Sequence, residues 1–264
     1  MTSDRGSQAA LTPTCEASPD QAWAAAVLRL LETSGSTFGL FVRIENPTGC
    51  SGEIRARYED LARSHRLLNV RQVAYTIFPQ SLYEKSGRST ERLFERYNRP
   101  GGAYDRVKAG RWGTYFRRMT HQEVAVKGSV TVVNQLRDLI QMLRERPKVY
   151  KAAYSIAVAR PGDSRRTMGG PCLDHICLQL DRHGGRRTLS LLALYRSQNF
   201  VQRALGNYVG LGQLQAFLCE QTGYEMGRLS VVASHATIEA DSPSRVSWPT
   251  RPELRRLCEA AMRR

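Results

Sequence analysis

The chain has 264 residues and a formal net charge of +15, from 39 Lys and Arg against 24 Asp and Glu. Hydrophobic residues at 41% and charged residues at 24% are the balance of a globular chain, which excludes a largely disordered one. No apolar run reaches the roughly 18 residues of a membrane span, and the polar start MTSDRGSQAALTPTCEASPDQ has no apolar signal region, so a cytoplasmic protein without a membrane partner is expected.

Residues 1–19, rich in Ser, Thr, Pro and Ala, read as a disordered leader, and 20–264 as one domain. Ser18-Pro19-Asp20 opens a helix over about 20–32, with Trp23, Val27, Leu30 and Leu31 on one face. Phe38 to Ile44 is a strand, closed by Asn46-Pro47-Thr48-Gly49. A helix over about 52–66 carries Ile54, Tyr58 and Leu61, and Val70–Phe78 reads as extended. Residues 80–98 form a charged amphipathic helix or helix pair with Leu82, Tyr83, Leu93, Phe94 and Tyr97 inward. Trp112-Gly113-Thr114-Tyr115-Phe116 is either a packed corner or the aromatic lining of a pocket.

Val130 to Arg144 repeats Val133, Leu136, Leu139, Ile140 and Leu143 at three- and four-residue steps, a helical period, and Pro147 ends it. Tyr154–Ala159 is a short buried strand. Ile176–Leu180 and Leu189–Tyr195 form a hairpin. Tyr208 to Thr222 is a long apolar helix stopped by Gly223, Leu229–Ala233 is a strand, and a basic helix over about 251–263 turns Leu254, Leu257 and Ala261 inward.

The six cysteines, Cys15, Cys50, Cys172, Cys177, Cys219 and Cys258, form no CxxC and no Cys–His zinc spacing, so no metal site is expected. Cys177 and Cys219 lie in apolar runs and read as buried thiols. The positive charge fits either an arginine-rich solvated surface or phosphate-bearing partners, from a nucleotide to nucleic acid. The arginines are spread rather than blocked, which weakens the nucleic-acid version.

Chemistry concentrates between Gly169 and Ala240. Cys172 follows Gly169-Gly170-Pro171 at the mouth of a strand. A thiol there is a nucleophile if a cation lowers its pKa, and Arg196 is the candidate. Arg196 and Ser197 at the next strand's tip could grip a phosphate or carboxylate. Asn207 offers a donor and an acceptor together, matching the O4 and N3–H edge of a uracil ring. The same residue types also have structural uses: a buried Cys, a turn Asn, a satisfied core His.

The order Pro171-Cys172, Gln179, Tyr195-Arg196-Ser197-Gln198-Asn199, Asn207 eight residues later, and His235-Ala236-Thr237 resembles thymidylate synthase, the folate-dependent family that methylates C5 of pyrimidine nucleotides. Tyr115 and Asn134-Gln135-Leu136 extend the resemblance upstream; it covers about 130–240 well and 20–130 coarsely. The resemblance implies an α/β fold, with a mixed, largely antiparallel sheet layered with helices, and a homodimer packed through its sheet. It implies one-carbon transfer, methylation or hydroxymethylation, to C5 of a pyrimidine nucleotide, with 5,10-methylenetetrahydrofolate as cofactor. By residue, Cys172 would attack C6, Arg196 and Ser197 would bind phosphate, and Gln179 would contact the substrate. Asn207 would read the base, His235 and Thr237 would face the ribose, Asn199 would hold the pterin, and Tyr115 would line the cleft.

The chain departs from the family at several points. Leu173 stands where the family has His, Asn199 where it has Asp, Thr237 where it has Tyr, and Tyr150-Lys151 where it has an Arg pair. Arg165-Arg166 repeats that pair in letters only, and the family's catalytic Glu has Glu84 and Glu91 as nearest candidates. A divergent member is therefore expected. The alternative is a non-catalytic thymidylate-synthase-like protein that binds nucleotide or nucleic acid.

Overall fold

The computed structural model describes residues 14–107, 112–126, 128–145, 154–160, 162–163, 170–183, 186–239 and 247–262. Order begins earlier than the expected leader allows. Thr14–Glu16 forms β1, paired in parallel with β2 (Ser36–Ile44); residues 1–13 lie outside the described residues. The Ser18 hydroxyl accepts the Gln21 N–H at 3.3 Å and so caps α1 (Pro19–Glu32), whose Trp23, Val27, Leu30 and Leu31 are buried as their spacing predicts. α2 (Gly52–Ser64) buries Ile54 and Tyr58, while Leu61 is half-buried.

The extended reading of Val70–Phe78 is wrong: Val70–Ile77 is helix α3. Its β-branched residues suggest a strand, but Asn69 and Gln72 form a reciprocal capping box that starts a helix. Val70, Val73, Ala74 and Ile77 then share one buried face. α4 (Gln80–Lys85), α5 (Thr90–Asn98), α6 (Ala103–Arg106) and α7 (Tyr115–Thr120) follow. A hairpin of β3 (Gln122–Val126) and β4 (Ser129–Val133) takes the first part of the expected Val130–Arg144 helix. The Val-Thr-Val-Val run prefers a pleated strand. Asn134 accepts the Arg137 N–H at 3.0 Å, and helix α8 (Gln135–Glu145) begins there.

β5 (Ser155–Ala157), β6 (Leu173–His183), β7 (Arg186–Tyr195), β8 (Gln198–Asn199), helix α9 (Leu205–Thr222), β9 (Glu225–Thr237) and α10 (Arg251–Met262) complete the chain. Leu254 and Leu257 of α10 are buried, and the Ala261 side chain lies outside the described set. The main sheet runs β1-β2-β9-β7-β6-β5, with β8 added beside β9. β2–β9, β6–β7 and β5–β6 are antiparallel, and β7–β9 is the long parallel pair, so the sheet is mixed and largely antiparallel with helices layered on it.

α9 is apolar around most of its circumference because it runs through the core. A Cβ at Gly210 would sit 2.8 Å from the Ala74 carbonyl oxygen and 3.0 Å from Ile77 Cβ, so only glycine lets α9 lie this close to α3. Gln215 donates to the Leu189 and Gly227 carbonyls at 2.8 and 3.0 Å and fastens α9 to β7 and β9. No helix among the described residues is long and apolar enough to cross a membrane.

Candidate functional site at the Cys172 end of the sheet

Strand direction brings the site together. β6 starts, and β7 and β9 finish, at one end of the sheet. Leu173 pairs with Tyr195, and Tyr195 pairs with Ala233. The Arg196 N–H donates to the Cys172 carbonyl at 2.9 Å, carrying the β6–β7 ladder one step past that pair. Cys172, Arg196, Ser197 and His235 therefore stand along one edge, 24 residues or more apart in sequence for the first two but adjacent strands in space.

Gly170 makes room for the Arg196 guanidinium beside the cysteine segment. Its φ is +116°, a region that L side chains avoid, and a Cβ built on it would lie 2.9 Å from Arg196 Nη2. The Cys172 Sγ lies 3.9 Å from the Gly170 carbonyl oxygen. The Arg196 guanidinium and the Cys172 thiol thus both lie close to the same glycine. Trp112 is also here, 4.0 Å from the same Cβ position.

Tyr115 holds the cysteine from the other side. The Thr114 hydroxyl accepts the Arg117 N–H at 3.1 Å and starts α7, which places the Tyr115 Oη to accept the Cys172 N–H at 3.1 Å and the Leu173 N–H at 3.4 Å. Burial pushes the Tyr115 phenol up, with the nearby Cys172 adding to it; the two N–H bonds and the Arg203 charge oppose this in part. The phenol stays protonated at neutral pH and keeps an O–H to donate.

Asn207 lies in the first turn of α9, not in a turn before the helix. It is only 4% exposed, yet its amide has no hydrogen-bond partner among the described residues. The Ser197 hydroxyl and the His235 ring nitrogens also lack hydrogen bonds there; His235 packs its ring 5.3 Å from that of Phe38. Among the described residues, four of the seven buried side-chain polar atoms without a partner belong to Tyr195, Gln198 and Tyr208, each next in sequence to Arg196, Ser197 or Asn207. Roughly nine in ten buried polar groups are hydrogen-bonded in native structures. An unpaired buried polar atom is a place where solvent or a ligand can complete the bonding.

Other expected members sit differently. Gln179 is exposed and opposite Ser190, seven residues along β6 from Cys172. At about 3.3 Å per residue that is roughly 23 Å away, so the strand's own length removes it from this end. Asn199 is an N-cap: its Oδ1 accepts the Val201 and Gln202 N–H groups at 3.0 and 2.9 Å, and its Nδ2 donates to the Glu239 carbonyl at 2.8 Å. The Thr237 hydroxyl is buried and accepts the Glu239 N–H at 3.1 Å. Cys177 is half-buried rather than buried, because it alternates to the face of β6 away from the helices; burial pushes Cys219 up to about 12, an inert thiol at neutral pH. Glu84 accepts from Gln80 at 2.8 Å. Glu91 pairs with Arg137 in a separate cleft of about 580 Å³ between α5, β4 and α8. Tyr150-Lys151 and Arg165-Arg166 lie outside the described residues.

No family model matches the chain, and no curated protein sequence matches it. Among solved structures it is similar to the thermostable thymidylate synthase A from Bacillus subtilis, at 16% identity and a TM-score of 0.48, over 83% of this chain and 80% of that one. That likeness is too distant to assign an activity. Among the described residues no group of His, Cys, Asp and Glu is arranged to hold a metal ion.

Residue patterns missed Arg203. It is the fourth residue of a five-residue π-helical turn, Phe200–Ala204, just before α9. The signal was present as a four-residue step to Asn207, but a π turn cannot be read from periodicity. Tertiary contacts fix that turn: Trp23 Nε1 donates to the Phe200 carbonyl at 2.5 Å, and the Tyr58 hydroxyl to the Val201 carbonyl at 2.9 Å.

Proposed function

We propose that the chain is a thymidylate-synthase-like transferase that adds Cys172 to C6 of a pyrimidine nucleotide and moves a one-carbon unit to C5, leaving methyl or hydroxymethyl there. The observation that carries this is the Cys172 thiol and the Arg196 guanidinium both lying close to Gly170, together with an Asn207 amide that makes no hydrogen bond among the described residues.

The thiolate forms an S–C6 bond, and the ring's C5=C6 electron pair moves toward C5 and O4, making C5 nucleophilic. The Asn207 NH₂ donates to O4, where negative charge grows, and its oxygen accepts N3–H. Arg196 holds the thiolate form and, with Ser197, receives the phosphate; His235 receives a ribose hydroxyl. Tyr115 anchors the Cys172 backbone so that the sulfur approaches from a fixed direction. 5,10-Methylenetetrahydrofolate would supply the one-carbon unit and, for a methyl product, the hydride that reduces it, water completing a hydroxymethyl product; loss of the C5 proton then expels the Cys172 thiolate from C6. Asn199 would hold the folate with the one Nδ2 hydrogen its cap bonds leave, which fits the carbonyl oxygen of a pterin ring.

The test is covalent. Incubated with 5-fluorodeoxyuridine monophosphate or 5-fluorocytidine monophosphate, with and without methylenetetrahydrofolate, the protein should gain a mass adduct that Cys172→Ala abolishes. No adduct with any 5-fluoropyrimidine refutes the reading. Nucleic-acid binding with a steep salt dependence would then favour the non-catalytic alternative.

The same reading includes a homodimer through the sheet. Phe41, Val232 and Leu194 line up across β2, β9 and β7, half-exposed on the face opposite the buried Val42, Val231 and Ala193, with Leu192 39% exposed beside them. Gly39, at φ +71°, breaks the alternation of β2 next to Phe38, which is 79% exposed. Sedimentation equilibrium should return twice the 29.7 kDa chain mass, and a monomer mass would refute this part.

A further inference from the structure

Arg203 is exposed and makes no hydrogen bond or ion pair among the described residues. An unpaired surface arginine is ordinary in a chain of charge +15. Its surroundings are not ordinary. Residues four apart on a helix share a face. Asn207 stands four residues after Arg203, where the π turn runs into α9, so the two lie on neighbouring turns of one side of the helix, while Asn199 caps the start of the turn. The amide of Asn207 makes no hydrogen bond among the described residues, although the residue is only 4% exposed. The turn that carries Arg203 is π-helical, a geometry frequently found at functional sites. Tyr58 fixes that turn through the Val201 carbonyl, and the charge of Arg203 is felt by both Tyr58 and Tyr115. Tyr115 in turn is bonded to the Cys172 and Leu173 N–H groups. Arg203 is therefore a second cation of the Cys172 site, on the α9 side, where Arg196 is the cation of the strand side.

We propose that Arg203 is an anion-binding residue of this site, and that its guanidinium takes an oxyanion of the bound ligand, either the nucleotide phosphate or the carboxylate of the one-carbon donor's tail. This rests on the pyrimidine-transfer reading above. A guanidinium suits the task because its fork of N–H donors matches two oxygens of a phosphate or carboxylate. The chain has Tyr150-Lys151 where the related family has an arginine pair, and Arg203 supplies an arginine from within the same chain.

Equilibrium binding to wild type, Arg203→Gln and Arg203→Lys tests the proposal with two ligand pairs. One pair is deoxyuridine monophosphate against deoxyuridine; the other is tetrahydrofolate against a tetrahydropterin without the glutamyl tail. The expected result is that Arg203→Gln weakens one charged ligand about 10- to 100-fold, the loss of one charge-assisted hydrogen-bond set. The matching uncharged ligand should be unaffected, and Lys should restore part of the loss. Loss confined to the nucleotide pair assigns the phosphate, and loss confined to the folate pair assigns the carboxylate. Equal affinity of wild type and Arg203→Gln for both charged ligands overturns the proposal alone. So does an equal loss for charged and uncharged members, which would signal a shape effect. A wild type that binds none of the four ligands overturns the transferase reading and this proposal with it.

Discussion

Removing the Asp163 carboxylate is the sharpest test of how the site's walls are held. Arg118 and Asp163 meet in a two-pronged pair, Nη1 to Oδ2 at 2.6 Å and Nη2 to Oδ1 at 3.1 Å, with side chains 6% and 10% exposed. Arg118 also donates to the carbonyls of Trp112 at 3.2 Å and Val158 at 3.3 Å, so the pair ties the Trp112 stretch to the loop after β5. In Asp163→Ala the guanidinium stays buried with two carbonyl acceptors and no counter-charge. Breaking such a pair costs about 3–5 kcal/mol, and the remaining carbonyls place this case near the lower end. At about 2–4 °C per kcal/mol for a chain of this size, Tm should fall by roughly 6–12 °C. Differential scanning calorimetry reads it, and a fall under about 2 °C would refute the claim that the pair is desolvated.

The pH dependence follows from the same contacts. Burial alone would raise the Asp163 pKa. The Arg118 hydrogen bonds, the Arg160 N–H and the two arginine charges together outweigh burial and hold it below the usual aspartate range. A depressed folded pKa means the stabilisation is fully present above the unfolded value, about 3.9, and is lost as pH falls through the folded value. The difference in Tm between wild type and Asp163→Ala should therefore be constant from pH 7 to 5 and shrink below about pH 4. A difference that persists unchanged at pH 2 would contradict the assignment.

Two further outcomes follow from the site. Asn207→Asp replaces a donor–acceptor pair with acceptors only, so base preference should move from uracil toward cytosine by about tenfold or more, read as the ratio of adduct rates with the two 5-fluoropyrimidine nucleotides; an unchanged ratio would mean that Asn207 does not read the base. Tyr208→Phe removes a fully buried hydroxyl that has no partner among the described residues, so the ligand-free protein should be as stable as wild type or more so, by up to about 1–3 kcal/mol. A clear drop in Tm would show that solvent satisfies that hydroxyl.

Much of the helix pattern was legible because apolar side chains repeat at helical spacing. Trp23, Val27 and Leu30 of α1 and Leu136, Leu139, Ile140 and Leu143 of α8 are buried as their spacing requires. The two errors have opposite causes. β-branched residues make Val70–Ile77 look extended, while Val130–Val133 falls in with the helical repeat that starts at Val133. In the first a cap of two side chains decides for helix; in the second a hairpin partner decides for strand. Neither partner is visible in local propensity.

The chain order alone determined which residue types are available near Cys172 and that Arg196, Ser197 and Asn207 follow in a spaced series. It could not decide which of them meet. The β6–β7 ladder brings Arg196 to Cys172 and carries Gln179 to the far end of the same strand. The cap at Asn199 consumes most of an amide assigned to a ligand, and the π turn puts Arg203 one turn before Asn207 on the same side of the helix. Side-chain identity is local and readable one position at a time. Strand register, helix phase and the competition of backbone N–H groups for a side-chain oxygen are set by contacts between distant segments, and only the tertiary structure resolves them.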